Sequence, residues 1–298
     1  MIALNEGDLR LVLDPAAGGT VVSFTHREQP ILRAALPHSD DPRDRAAFPL
    51  VPFSGRIDRG RFKLDGHRVE LPPNMPPEPH AIHGHGWQSS WQVTTQTARR
   101  ASLELVHAAG AWPWDYLATQ TFALQGNQLR VELTLTNNAP QPMPAGLGWH
   151  PYFPRDLSAE LDDRAVRLRA PVRAFWPNSA DTISLAPTVP DWLQDLEQGI
   201  SIEKLNLDNA FSVAEPPVQP VSIHWVRTGI EVSLAASPNL GHLIIYTPPG
   251  EPYFCVEPVS HAPNCLNSSL ESDLTGKRFL EPHETMSAEV VLTVSPAS

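Results

Sequence analysis

One histidine and one glutamate stand out among the residues whose types could do chemistry. His150 lies in the aromatic-rich segment 148–153, and Glu257 lies in a second segment that begins at Cys255. Near neutral pH a histidine can donate or accept a proton, whereas an ionised glutamate can only accept one. Because aromatic rings beside the histidine could stack on a sugar, the pair predicts acid–base chemistry on a carbohydrate.

Two further segments could hold the hydroxyl groups of such a substrate. Small residues precede Arg56, which lets the backbone approach a ligand, and a guanidinium offers forked donors that suit vicinal hydroxyls. The alternative for Arg56 is a solvated basic turn. Asp208 lies between apolar residues in 205–211, where an aspartate is most often a turn former. Its functional alternative is a carboxylate that accepts bonds from sugar hydroxyls.

Three histidines lie close together in the chain, at His80, His83 and His85. In an extended chain His83 and His85 would share one side, which suggests a metal site. No acid follows in 86–91, as a cupin-like site would need, and no glutamate lies inside a helical histidine pair. Neutral, hydrogen-bonding histidines are therefore the favoured interpretation, and no metal is predicted.

The composition excludes several classes of protein. A formal net charge of −11 argues against nucleic acid and against an anionic membrane surface as partners. The N-terminus lacks the basic start and apolar run of a signal peptide, and no stretch approaches the roughly 20 apolar residues of a membrane span. Two cysteines, Cys255 and Cys265, make a disulfide framework unexpected and favour a cytoplasmic location. Cys255 would share the strand face of Glu257, where a buried free thiol is expected.

The elements that must position these residues are predominantly strands. The 32 prolines would interrupt almost any long helix. Alternating and β-branched runs predict strands at 9–13, 20–25, 91–97, 102–107, 118–124, 129–136, 165–168, 221–226, 230–235, 242–246, 253–257 and 289–294.

The connections between these runs are also informative. Turn-forming residues between 124 and 129 predict a hairpin. A short helix is predicted at 191–197, with Asp191 near its cap and Gly199 at its end. The proline-rich segment 72–79 is interpreted as a surface loop. The strand count and spacing favour one large antiparallel sandwich, with residues 1–298 forming a single domain.

Taken in order, the segments resemble the aldose 1-epimerase (galactose mutarotase) family. The matching positions run through most of the chain and are 55–57 with 60–62, 82–85 with Trp91, 150–153, 207–211, Glu257 with 263–265, and 280–284. The resemblance implies the family's all-β fold, a large antiparallel β-supersandwich. It also implies that Glu257 is the general base, that His150 is the general acid, and that His83 assists at the ring oxygen.

The same resemblance implies how the sugar is held. Arg56 and Asp208 would bind its hydroxyl groups, and His85, Trp87 and Phe211 are the further residues predicted to contact it. The implied activity is interconversion of the α and β anomers of a free hexose, with no cofactor. Glu257 would take the anomeric proton in its ionised form while a charged histidine protonates the ring oxygen.

Three departures from the family pattern favour its broad, epimerase-like branch. Gly55 replaces an asparagine, 146–148 lacks an Asn-x-Thr, and His85 replaces a glycine. One alternative is an epimerase of a phosphorylated or sulfonated hexose, although Trp87 replaces the arginine of the phosphosugar branch. For this alternative, the charge could come from an arginine elsewhere: Arg59, Arg61 or Arg155. The other alternative is a sugar-binding protein without turnover, and a monomer or homodimer is expected in each case.

Overall fold

The computed structural model describes residues 1–37, 39, 41–157, 166–178, 183, 186–214 and 219–296. The first half of the chain is built from fourteen strands among these residues. They are β1 (Ile2–Glu6), β2 (Leu9–Asp14), β3 (Thr20–His26), β4 (Gln29–Pro30), β5 (Ala47–Leu50), β6 (Arg56–Ile57), β7 (Arg61–Leu64), β8 (His67–Glu70), β9 (Ala81–Ile82), β10 (Gln92–Gln96), β11 (Arg100–His107), β12 (Tyr116–Gln125), β13 (Gln128–Asn137) and β14 (Met143–Ala145).

The second half adds eleven described strands and two short helices. The strands are β15 (Gly148–Pro154), β16 (Val166–Arg169), β17 (Val172–Trp176), β18 (Ile200–Ser201), β19 (Asp208–Val213), β20 (Val221–Trp225), β21 (Ile230–Ala236), β22 (His242–Tyr246), β23 (Tyr253–Val259), β24 (Arg278–Leu280) and β25 (Thr285–Pro296). The helices are α1 (Leu193–Gln198) and α2 (Ser272–Thr275), and 3₁₀ turns lie at Pro42–Asp44, Asp58–Gly60, Gly86–Gln88, Ile202–Lys204 and Cys265–Asn267. None of the described helices is long and apolar enough to cross a membrane.

Two large antiparallel sheets contain most of the strands. The first has the order β1-β2-β3-β5-β15-β23-β22-β19-β17, with β4 paired to β3, and the second has the order β10-β11-β12-β13-β25-β21-β20-β16-β18. Alternate residues of each strand point to one face, so alternating sequences bury one row of side chains. In β13, for example, Leu129, Val131, Leu133 and Leu135 are buried in the main core.

The central strands of the first sheet are buried on both faces. In β23, Phe254 and Val256 belong to the main core, whereas Cys255 lies on the other face in a smaller apolar cluster. In β15, Trp149 and Phe153 likewise join the main core. The face opposite the core is therefore where the polar residues of these strands are displayed.

The predicted all-β antiparallel fold is confirmed, and so is the hairpin, which joins β12 to β13. Most predicted strands appear within a few residues of their expected bounds, although residue 165 lies outside the described residues. The predicted helix begins later than expected, because Trp192 and not Asp191 precedes α1, while Gly199 does end it. Strands β15 and β19 are not among the predicted strands, because both are mostly buried and lack a clean alternation.

A glycine in the histidine loop permits a close backbone approach that no other residue allows. Gly84 has φ +67°, and a Cβ added there would lie 2.1 Å from the carbonyl oxygen of Val51. Gly66 has a similar φ of +79° but nothing within 4 Å of such a Cβ.

We therefore expect Gly84→Ala to destabilise the protein far more than Gly66→Ala does. The control should lose about 1–2 kcal/mol from the left-handed conformation alone, whereas the clash at Gly84 should bring the loss above about 4 kcal/mol. Urea unfolding of both variants measures the difference. Equal losses would mean that the loop can move away from Val51 without cost.

Candidate active site

Two adjacent strands bring His150 and Glu257 together. Strands β15 and β23 are antiparallel, and their register pairs Gly148 with Val259 and Tyr152 with Cys255. The same register sets His150 opposite Glu257, on the face away from the main core. His150 Nε2 and Glu257 Oε1 are 3.2 Å apart, and only 6% and 2% of the two residues are exposed.

Aromatic rings fix the orientation of the histidine. The ring of Phe48 lies 4.4 Å from that of His150, and the ring of Tyr152 stacks on it at 4.6 Å with an interplanar angle of 23°. These contacts leave little rotational freedom to the imidazole. Each member of the pair keeps one buried polar atom, Nδ1 of His150 and Oε2 of Glu257, without a hydrogen-bond partner among the described residues.

Burial works against charge on both members of the pair. It raises the pKa of Glu257 well above its usual range, and the nearby charge of Asp208 adds to the rise. It also lowers the pKa of His150 well below its ordinary value, with His83 and Arg33 contributing. The uncharged forms are therefore favoured. This differs from the ionised arrangement that the sequence analysis expected, but the pair holds one proton in either arrangement.

His83 lies beside this pair with a defined tautomer. Its ring meets that of His150 edge-to-face at a centroid distance of 5.4 Å. Burial lowers the pKa of His83 to about 3, so the ring is neutral. Its Nδ1 accepts a hydrogen bond from the amide of Gly55 at 3.1 Å, which assigns the proton to Nε2. His83 has φ +62°, a strained conformation that is typical of functional positions.

Arg56 is held between two carboxylates. Its Nε donates to Glu78 at 3.1 Å, and its Nη2 donates to Asp208 at 3.2 Å. Arg56 and Asp208 are predicted site residues, whereas Glu78 is not, since it lies in the proline-rich segment interpreted as a surface loop. A lone acid between prolines carries no periodic signal, so only the folded structure reveals its partner.

These residues surround a cavity of about 1230 Å³. The predicted residues that line it are Glu257, His150, His83, Arg56, Asp208 and Trp87. Their chemical roles stay predictions.

Two of the predicted site residues do not line the cavity. Phe211 is fully buried in the main core. It lies three positions after Asp208 in β19, and such an odd spacing points the two side chains to opposite faces of the strand. His85 is turned away, because both His83 and Gly84 before it adopt left-handed conformations.

His85 instead joins a half-buried hydrogen-bonded cluster. Its Nε2 lies 2.7 Å from the hydroxyl of Tyr116 and 3.0 Å from Nδ1 of His107. His80 lies apart from both of the other loop histidines, near the carboxylates of Asp58 and Glu78. The three histidines of the loop are therefore not gathered at one point.

Arg33 is a cavity residue that the sequence analysis did not identify. Its guanidinium lies over the rings of Tyr152 and Tyr253, 3.8 and 4.4 Å from their centroids. One of its Nη2 contacts is to the carbonyl oxygen of Arg45 at 2.8 Å. Its position depends on side chains distant in sequence, so no local pattern could have indicated it.

Comparisons with known proteins give a consistent result. The family model described as aldose 1-epimerase matches residues 1–293. The uncharacterized protein YphB of Escherichia coli K12 is 30% identical over 98% of this chain and 97% of its own length. The crystal structure of a candidate aldose 1-epimerase from Escherichia coli K12 matches with a TM-score of 0.86 and 27% identity, covering 99% of this chain and 98% of that one. A galactose mutarotase-like protein from Clostridium acetobutylicum has the same fold, with a TM-score of 0.89, 21% identity and coverage of 99% and 94%.

The half-buried cluster of His85, His107 and Tyr116 predicts a loss of stability in mild acid. Burial, together with the charge of His107, lowers the pKa of His85 to about 4, against about 6.5 in an unfolded chain. Because the unfolded state binds the proton first, the free energy of unfolding should fall between about pH 6.5 and pH 4. His85 should contribute about 2–3 kcal/mol to this fall.

Urea unfolding at a series of pH values measures this contribution. His85→Gln should flatten the decline in that window relative to the parent. The control is His67→Gln, at an exposed position of β8, which should keep the parental slope. An unchanged slope in His85→Gln would show that His85 does not resist protonation in the folded state.

Proposed function

The chain belongs to the aldose 1-epimerase family, and we propose that it interconverts the α and β anomers of a free hexose by acid–base opening and closure of the ring. The observation that carries this proposal is the 3.2 Å contact between His150 Nε2 and Glu257 Oε1 at the wall of the cavity. One group that releases a proton and one that accepts it are thus close enough together to serve two oxygens that are bonded to the same carbon.

The reaction needs two proton transfers, one at each of the two oxygens bonded to the anomeric carbon. The anomeric hydroxyl loses its proton as the ring oxygen gains one, and both oxygens are bonded to C1. The ring opens to an aldehyde, rotation about the C1–C2 bond follows, and closure on the other face gives the second anomer. Glu257 takes the first proton and His150 supplies the second. On closure the two residues exchange roles.

The protonation state of the resting pair is compatible with this chemistry. One proton is sufficient, provided that it lies on His150 when the ring opens. A sugar hydroxyl donating to Oε2 of Glu257 would stabilise the carboxylate form, and the positive charge of Arg56 acts in the same direction. Proton transfer by positioned groups typically contributes about 10²–10⁴-fold each. The neutral His83 would donate from Nε2 to the ring oxygen and help to orient it.

The charges of the cavity favour a neutral sugar over a phosphorylated or sulfonated one. Among the described lining residues, carboxyl groups outnumber guanidinium groups by six to three, and by five to three without Glu257, whose uncharged form burial favours. Arg56 is already paired with two of the carboxylates. The acids are Asp41, Asp44, Glu78, Asp208, Glu251 and Glu257, and the bases are Arg33, Arg43 and Arg56. Repulsion from the excess of acids would oppose the binding of an anionic substituent.

The approach of freshly dissolved α-glucose and α-glucose 6-phosphate to anomeric equilibrium tests the proposal. We expect the protein to accelerate the change in optical rotation of glucose and to favour it over the phosphate. A large preference for glucose 6-phosphate would overturn the choice of a neutral sugar. Saturable binding of sugar without any acceleration would instead establish a binding protein without turnover.

A further inference from the structure

We propose that Cys255, His150 and Glu257 form a binding site for a thiophilic divalent cation such as Zn²⁺. One possible ligand atom from each residue lies within 4.8 Å of the other two, and all three residues are buried. Among the described residues, no other trio of histidine, cysteine, aspartate or glutamate has its possible ligand atoms as close together. The site coincides with the pair to which we assign proton transfer.

The strands hold two of the three ligands at a separation that suits zinc, with the third close by. Cys255 and Glu257 are two residues apart in β23, so they share a strand face, and β15 places His150 opposite Glu257. Two ligands at about 2.1 Å from a tetrahedral zinc are about 3.4 Å apart. The contact between His150 and Glu257 is 3.2 Å. Small rotations of the side chains would complete a three-ligand site.

The ligand types select the ion. A thiolate and an imidazole suit zinc and similar borderline ions, whereas magnesium and calcium require oxygen ligands. A zinc ion bound to one thiolate, one carboxylate and one neutral imidazole has no net charge. It would displace the thiol proton and the single proton of the pair, so two positive charges leave as two arrive. The buried site is therefore neutral before and after binding, which limits the cost of placing an ion there.

The ion would reach this position from the sugar cavity. His150 and Glu257 both line the cavity wall, so the fourth coordination position would face the cavity, as in open zinc sites. A bound ion would occupy the proton-accepting and proton-donating atoms. Binding of the metal ion and catalysis would then be mutually exclusive. This inhibition rests on the proposed function, whereas the metal binding does not.

Cobalt(II) provides a direct probe, because a cobalt–thiolate bond gives a charge-transfer band in the near ultraviolet. The protein is first freed of metal with a chelator and then titrated with Co²⁺, with parallel samples of parent, Cys255→Ala and Cys265→Ala. Cys265 is a matched control because it is also a buried free thiol but is not part of the trio. Thermal unfolding of each variant verifies that it is folded, and Mg²⁺ serves as the control ion.

We expect one equivalent of Co²⁺ to give the band in the parent and in Cys265→Ala, and excess Zn²⁺ to remove it. Cys255→Ala should lack the band, and its affinity for Zn²⁺ should be more than about 100-fold lower. A loss of that size exceeds what is typical when a residue that only hydrogen-bonds to a metal ligand is removed. Absence of the band in the folded parent would overturn the proposal without recourse to any variant. A band that persists in Cys255→Ala would also overturn it.

The anomerisation rate separates this proposal from the function of the site. Inhibition of the metal-free parent by Zn²⁺, with relief in Cys255→Ala, would support both. Activity that Zn²⁺ does not affect, without a cobalt band, would contradict the metal site and leave the proposed activity intact. A cobalt band in a protein that accelerates no anomerisation would support the metal site and contradict the proposed function.

Discussion

The contact between a buried imidazole and a buried carboxyl group is the constraint on which the site depends. Burial disfavours the charged form of each group, but a pair that holds one proton has no net charge wherever the proton lies. Moving the proton from Glu257 to His150 therefore changes the dipole of the pair without adding charge to the interior. A sugar whose two reacting oxygens share one carbon fits such a pair, because it gives a proton to one member as it takes one from the other.

The fold provides this pair by burying both faces of two central strands. One face of β15 and β23 packs its apolar residues into the main core, and the opposite face presents His150 and Glu257 to the cavity. Loops beyond these strands supply further residues of the site. The left-handed residues of the histidine loop direct His83 to the pair, and the proline-rich loop contributes Glu78, which holds Arg56 together with Asp208.

Sequence patterns predict the fold better than they predict the wall of the cavity. Where a strand has one apolar face, as in β12 and β13, strict alternation indicates it correctly. Strand β15 is buried throughout, so its sequence lacks the alternation even though it carries His150. Motif order predicted His150, Glu257 and Arg56 as site residues, and all three line the cavity. It also predicted His85, which the turn of its loop directs away from the cavity, and Phe211, which points to the other face of its strand. It did not predict Arg33 or Glu78, whose positions depend on contacts with residues distant in sequence.

The most direct test of the account is a double-mutant cycle on the pair. The rate of exchange between the two anomers of a hexose at equilibrium would be measured by NMR for the parent, His150→Asn, Glu257→Gln and the double variant. If one proton moves through both residues as a unit, either single substitution should remove nearly all of the acceleration that the double substitution removes. Losses that multiply in the double variant would mean that the two residues act independently, and would contradict the shared-proton account.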